Sequence, residues 1–132
     1  MGAQAKKNIW YLDNSCSHHM TEDRAMFSSI SPKDGGYVTF GDNAKGKIVG
    51  EGKVGKFLNP AIDDVLLVNG LKHNLLSISQ LCDKNCKVIF EPFRCVVYDD
   101  NECALFVGTR NNNIYVVISI WQSKKGGEMD FN

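Results

Sequence analysis

The sequence has no excess of charge of either sign and no long apolar run. Lysine and arginine together number 15, as do aspartate and glutamate, so the formal net charge is zero. Nucleic-acid binding requires a basic surface that neutralises phosphates, which this balance does not provide. No segment approaches the roughly 20 consecutive apolar residues of a membrane-spanning helix. We therefore expect neither a direct nucleic-acid partner nor a membrane partner.

Proline is also scarce, and the five cysteines are an odd number at irregular spacings. With no export signal at the N-terminus, this favours reduced thiols in the cytoplasm over a disulfide framework. The chain length predicts a single domain, which we place at residues 9–121. Residues 1–8 are expected to be a polar N-terminal extension. Residues 122–132 have no core-forming pattern and are expected to be a disordered tail.

Short segments rich in β-branched and aromatic residues recur along the chain, separated by polar turns. They occupy residues 9–12, 37–40, 47–50, 53–58, 65–68, 87–90, 95–98, 104–107 and 114–117. Short strands at this spacing predict a small all-β barrel or sandwich. Residues 65–68 are apolar on both faces and predict a central buried strand. Residues 13–36 predict mainly loop, with at most one short strand.

The apolar period changes once, after the turn at Asn69 and Gly70. Leu75, Ile78 and Leu81 fall at helical spacing on one face, and Asn74 is a residue type that caps helix N-termini. We therefore predict one short α-helix over residues 74–84 in an otherwise all-β domain.

Asp13 ends the first apolar strand and is followed by Asn14 and Ser15. An aspartate after a strand is usually a turn residue or a cap, but it can also serve as an acid or base. Peptide hydrolysis by carboxyl groups needs two of them close together, sharing one proton. The remaining candidates lie in turns without this context: Asp42, Asp63, Asp64, Asp99 and Asp100. A second carboxyl group would therefore have to come from a second copy of the chain.

Three separated segments carry a family resemblance: residues 10–21, 38–54 and 65–81. In this order, over residues 9–117, they resemble the protease region of copia-type LTR retrotransposon Pol polyproteins, which are abundant in plant genomes. The resemblance implies a retropepsin-like fold, which is a small closed β-barrel with one helix. It also implies an aspartic protease that acts as a homodimer and cleaves its own polyprotein.

The resemblance assigns roles to particular residues. Asp13 would be the catalytic aspartate, with Asn14 and Ser15 completing the catalytic loop, and residues 37–54 would form a flap hairpin over the substrate. The flap positions are Tyr37, Val38, Phe40, Gly41, Asp42, Asn43, Ile48, Val49 and Gly50. The implied partners are a second copy of the chain and a polyprotein or peptide substrate, without a cofactor. The implied location is cytoplasmic, in the virus-like particle of the parent element.

The catalytic loop departs from the family pattern, in which the aspartate is followed by Ser or Thr and then usually Gly. Asn14 can donate and accept hydrogen bonds in place of the hydroxyl. Ser15 adds a Cβ where a glycine permits close backbone approach. We expect weak or absent catalysis with the fold retained. The alternative function is an inactive, degenerate or domesticated β-barrel module for dimerisation or for peptide or protein binding.

Two pairs of side chains have spacings seen in zinc sites: Cys16 with His19, and Cys82 with Cys86. A thiol on the apolar face of a helix, as predicted for Cys82, is more often a small core residue. Loop histidines such as His18 and His19 are more often solvated. We therefore expect no metal site.

Overall fold

The computed structural model describes residues 9–40, 44–55, 61–112 and 114–118, which form mainly β-strands. A 3₁₀ helix (Arg24–Met26) precedes β3, and one α-helix, α1 (Ile78–Asp83), follows β7. The strands are β1 (Ile9–Asp13), β2 (His19–Thr21), β3 (Phe27–Pro32), β4 (Tyr37–Phe40), β5 (Ala44–Val54), β6 (Ile62–Asn69), β7 (Asn74–Ser77), β8 (Lys87–Phe90), β9 (Arg94–Tyr98), β10 (Ala104–Asn111) and β11 (Ile114–Ile118). Neither described helix has the length and apolar character needed to cross a bilayer.

Some expectations concern residues outside these ranges. They are the extension at residues 1–8, the tail at residues 122–132, part of the strand expected at residues 53–58, and the flap positions Gly41, Asp42 and Asn43.

The described strands form one sheet in the order β3-β5-β6-β2-β7-β1-β11-β10-β9-β8, and β4 pairs with β5. The all-β class with one short helix is therefore confirmed. The end strands β3 and β8 do not pair with each other in the described part of the chain. Hydrogen bonds do not close the sheet there, so the closed barrel stays a prediction.

Strand β7 lies between β1 and β2 and determines where the Asp13 loop runs. β1 pairs with β7 in parallel, which sets Asp13 opposite Ser77. β2 pairs with the other edge of β7, antiparallel, at Met20 and Leu75. The chain leaving β1 must therefore cross the end of β7 before it can form β2. Residues 14–18 make this crossing, next to the first residue of α1.

Strand β6 is buried on both faces, as its apolar sequence predicts. Val65 and Leu67 pack into the larger core cluster, which also contains Trp10 and Leu12 of β1. Leu66 and Val68 point to the opposite face and pack into a second cluster with Met20, Ile48 and Leu71. A strand with a different core on each face needs apolar residues at every position, which accounts for the continuous run.

The predicted helix began four residues too early. Residues 74–77 form β7, and α1 begins at Ile78. Asn74 does not cap the helix: its Oδ1 accepts from Thr21 Oγ at 2.6 Å, and its Nδ2 donates to the Ile9 carbonyl at 2.9 Å. Ser77 caps it instead, with Oγ accepting from the Gln80 N–H at 3.1 Å. Strand pairing outweighs the local helical period here.

The expectation of mostly loop over residues 13–36 was also wrong. This stretch contains β2, the 3₁₀ helix and β3. β2 has only three residues and β3 has mainly exposed side chains. Neither strand therefore has an apolar period that sequence reasoning could detect.

Gly52 allows β3 and β5 to approach closely. A Cβ built at Gly52 would overlap the Ser29 carbonyl oxygen and lie 2.7 Å from the Ile30 Cα. Both neighbours are backbone atoms, so a strand would have to move. We predict that Gly52→Ala lowers the free energy of unfolding by about 1–3 kcal/mol. Urea denaturation would measure this, with the exposed Lys53→Ala as the control. Equal stability of the two variants would contradict the packing described.

Candidate functional site

Asp13 stands at the end of β1 with its side chain partly exposed. Its Oδ1 accepts two hydrogen bonds from Ser15, one from the backbone N–H at 2.8 Å and one from Oγ at 2.7 Å. Its Oδ2 receives no hydrogen bond from the described residues. The turn therefore fixes the orientation of the carboxylate while leaving one oxygen open to water, a ligand or a second chain.

A groove of about 510 Å³ opens beside Asp13 and Asn14. Its other lining residues are mainly apolar or aromatic: Tyr11, Leu12, His73, Leu75, Ile78, Phe90, Ile114 and Tyr115. Two ring pairs are among them: the Tyr11 and His73 rings lie 4.7 Å apart, and the Phe90 and Tyr115 rings lie 5.0 Å apart. This size and lining are typical of a ligand-binding site.

The described residues of the expected flap segment lie in two paired antiparallel strands, here called the β4–β5 hairpin. Strand β4 pairs with β5, with Tyr37 opposite Lys47 and Phe40 opposite Ala44. Ile48 is buried, whereas Val38 and Val49 are half-buried. No described residue of this hairpin lines the Asp13 groove. Its role in covering a substrate therefore stays a prediction.

Three hydrogen bonds tie the Asp13 loop to the start of α1. The Ser77 N–H donates to His19 Nδ1 at 2.9 Å, and Ser77 Oγ donates to the Cys16 carbonyl at 2.8 Å. The His19 N–H donates to Gln80 Oε1 at 2.9 Å. Gln80 Nε2 also donates to the Asp64 carbonyl at 3.0 Å, which connects this network to β6. The loop and the start of β2 are thus bonded to β7 and α1, and α1 is in turn bonded to β6.

His19 is the site residue that sequence reasoning missed. It was expected to be a solvated loop histidine, but it is only 2% exposed. Burial lowers the pKa of His19 to about 4, opposed by the charge of Asp64 and reinforced by His18 and Lys84. Neutral Nδ1 accepts the Ser77 N–H, and a protonated ring could not. The sequence gives no signal for this role, because β2 is too short to show a period.

Cys16 and Cys82, from the two pairs with zinc-like spacing, lie in different surroundings. Cys16 is half-buried, and its pKa is raised to about 11, first by burial and second by the nearby charge of Asp13. Its thiol therefore stays protonated at neutral pH, the form that binds metals poorly. Cys82 was expected to be a core residue, but it is exposed. The packed face of α1 is formed by Ile78 and Leu81 instead. No group of three or more potential ligands that could hold a metal ion occurs among the residues described.

The depressed pKa of His19 predicts pH-dependent stability. Unfolded His19 takes up its proton near the ordinary value of 6.5, whereas folded His19 does so only near 4. The stability that neutral His19 contributes is therefore fully present above the unfolded-state pKa of 6.5. It is lost as the pH falls towards the folded-state pKa of about 4. The loss should be on the order of 2–3 kcal/mol.

Urea denaturation at a series of pH values would measure this loss. His19→Asn can accept the Ser77 N–H without titrating, so we expect its stability to depend less on pH. His18→Asn, which changes the exposed neighbour, should keep the pH dependence of the parent. The same pH dependence in all three proteins would show that His19 is not the titrating group.

The chain is similar to one known protein family. A family model described as the β-barrel domain of the Pol polyprotein matches residues 10–86, which is more than half of the chain. The matched region contains the Asp13 loop, the β4–β5 hairpin and the β7–α1 segment, and it ends before β8. Searches of curated proteins and of solved structures give no significant match.

Proposed function

The chain belongs to the family of the Pol polyprotein β-barrel domain, and from this premise we propose that it is a retropepsin-like aspartic endopeptidase of a copia-type retrotransposon. Two copies would form a homodimer, and each would supply one Asp13. The observation that carries the proposal is the orientation of Asp13. One carboxylate oxygen is held by Ser15, the other accepts no hydrogen bond from the described residues, and Asp13 lines a groove. The substrate would be the polyprotein that contains the domain.

Two Asp13 carboxyl groups at short range would share one proton, because two like charges so close together cannot both persist. The ionised group takes a proton from water as the water oxygen bonds to the peptide carbonyl carbon. The protonated group gives its proton to the carbonyl oxygen. One hydroxyl of the intermediate then returns a proton to the pair while the leaving nitrogen takes one, and the C–N bond breaks. The pair regains its single shared proton.

The anchoring of the loop supports this proposal. Carboxyl groups that act together need positions accurate to about 1 Å, since a misplacement of that size can cost roughly a hundredfold in rate. Buried Ser77 and Gln80 supply such a support, because Ser77 Oγ donates to the Cys16 carbonyl and Gln80 Oε1 accepts from the N–H of His19, where the loop ends. Asn14 is exposed beside the groove, where it would stand near the partner loop of a symmetric dimer.

A second candidate function is non-catalytic dimerisation or the binding of a peptide or protein. The position of the hairpin favours it, because no described hairpin residue lines the groove of Asp13 within one chain. A groove with apolar walls could bind a peptide without cleaving it. Loss of cleavage on removal of the Asp13 carboxylate separates the two functions.

We predict that Asp13→Asn abolishes self-cleavage of a polyprotein that contains the domain. An amide cannot act as a base, so the rate should fall at least about a hundredfold. The assay is incubation near pH 5–6, where His19 remains mostly neutral, followed by mass spectrometry of the products. Asp100→Asn, in the exposed turn after β9, is the matched control and should cleave like the parent. Equal cleavage by both variants would exclude the endopeptidase.

We also predict that Asn14→Ser combined with Ser15→Gly raises the cleavage rate by about tenfold to a hundredfold. The double variant keeps the backbone N–H that donates to Asp13 and removes the Cβ and the second hydrogen bond. Ser17→Gly, at an exposed position of the same loop, should leave the rate unchanged. An unaltered rate in the double variant would mean that these two side chains do not limit catalysis.

A further inference from the structure

Exposed apolar side chains are concentrated at one end of the sheet. Among the described residues, four of the five exposed large apolar side chains lie between β8 and β11: Ile89, Phe90, Phe93 and Ile114. Two of them, Phe90 at 48% exposure and Ile114 at 40%, line the Asp13 groove. Exposed apolar side chains that line a groove, as Phe90 and Ile114 do, are typical of an interaction site.

Phe90, Ile114 and Tyr115 form an apolar wall of the groove, and contacts within the protein hold its aromatic rings in place before any ligand binds. The Phe90 and Tyr115 rings lie 5.0 Å apart at 60°, a tilted geometry favourable for aromatic pairs. Tyr115 Oη donates to the Glu91 carbonyl at 3.1 Å. This bond joins β11 to the residue that follows β8. A ligand would therefore meet an aromatic surface that is already ordered.

The edge of β8 that is unpaired among the described residues favours an extended peptide as the occupant of the site. Strand β8 is the last strand of the sheet and pairs only with β9 in the described structure. Such an edge offers main-chain donors and acceptors to an added strand. Alternate side chains of that strand would point to one face, where Phe90 lies. Asp13 and Asn14 also line the groove and supply polar groups there.

We propose that β8 and β11 provide the binding wall for an extended peptide, with Phe90, Ile114 and Tyr115 receiving one aromatic or large aliphatic side chain. This inference rests on the proposed function, since the peptide is the polyprotein segment presented to Asp13. All three wall residues follow residue 86, so side-chain preference arises from the part of the chain beyond the family match.

The test measures binding with Asp13→Asn as the background, so that cleavage does not interfere. The probes are two labelled, blocked octapeptides of Ser, Thr and Asn, which differ only in having Phe or Ser at the central position. Fluorescence anisotropy should show the Phe peptide binding at least about tenfold more tightly. Adding Phe90→Ala should weaken binding of the Phe peptide about tenfold. Phe90→Leu should give an affinity between those of the background protein and Phe90→Ala.

Phe93→Ala and Ile89→Ala are the matched controls, because both residues are exposed near Phe90 and neither lines the groove. Both should bind the Phe peptide like the background protein, and unfolding midpoints should show that all variants are folded. Equal affinity for the two peptides, equal effects of Phe90→Ala and Phe93→Ala, or no binding at millimolar peptide would overturn the proposal. Binding with the expected preference but without Asp13-dependent cleavage would overturn the endopeptidase alone.

Discussion

The insertion of β7 between β1 and β2 is the constraint on which the rest of the structure depends. Asn74 at its start bonds to β1 and β2, and Ser77 at its end bonds to Cys16 and His19. These groups are largely buried, and a buried polar group left without its partner costs about 1–3 kcal/mol. The position of the Asp13 loop is therefore fixed by β7 and α1, because the loop itself is exposed and short.

This constraint connects the core to the chemistry of the site. The Ser77 bond requires neutral His19, and the low pKa of about 4 preserves it into mild acid. A pair of carboxyl groups sharing one proton would work in that same range. Asn14 and Ser15, which differ from the pattern expected of an aspartic protease, lie in the exposed loop, whereas Ser77 and Gln80, which anchor it, are buried. Under the proposed endopeptidase function, this arrangement would give slow catalysis in a stable fold.

The sequence predicted features that a local pattern encodes. Alternating or continuous apolar runs identified most strands, including the doubly buried β6, and the end of β1 placed Asp13. The errors came from residues whose state depends on distant partners. Asn74 and Leu75 carry a helical pattern but pair with β1, and His19 is buried by elements 58 to 61 residues away along the chain. Phe90 lines the same groove as Asp13 although β8 lies four strands from β1 in the sheet order, which no local pattern records.

The most direct test of the central claim, that catalysis needs one Asp13 from each of two copies, is a mixing measurement. Wild-type chain and Asp13→Asn chain are combined in varying ratios at constant total concentration, and cleavage of a separate polyprotein substrate is followed. If both carboxylates are required, activity depends on the square of the wild-type fraction and falls to about one quarter in an equal mixture. A linear dependence, with about half the activity remaining in that mixture, would contradict the account.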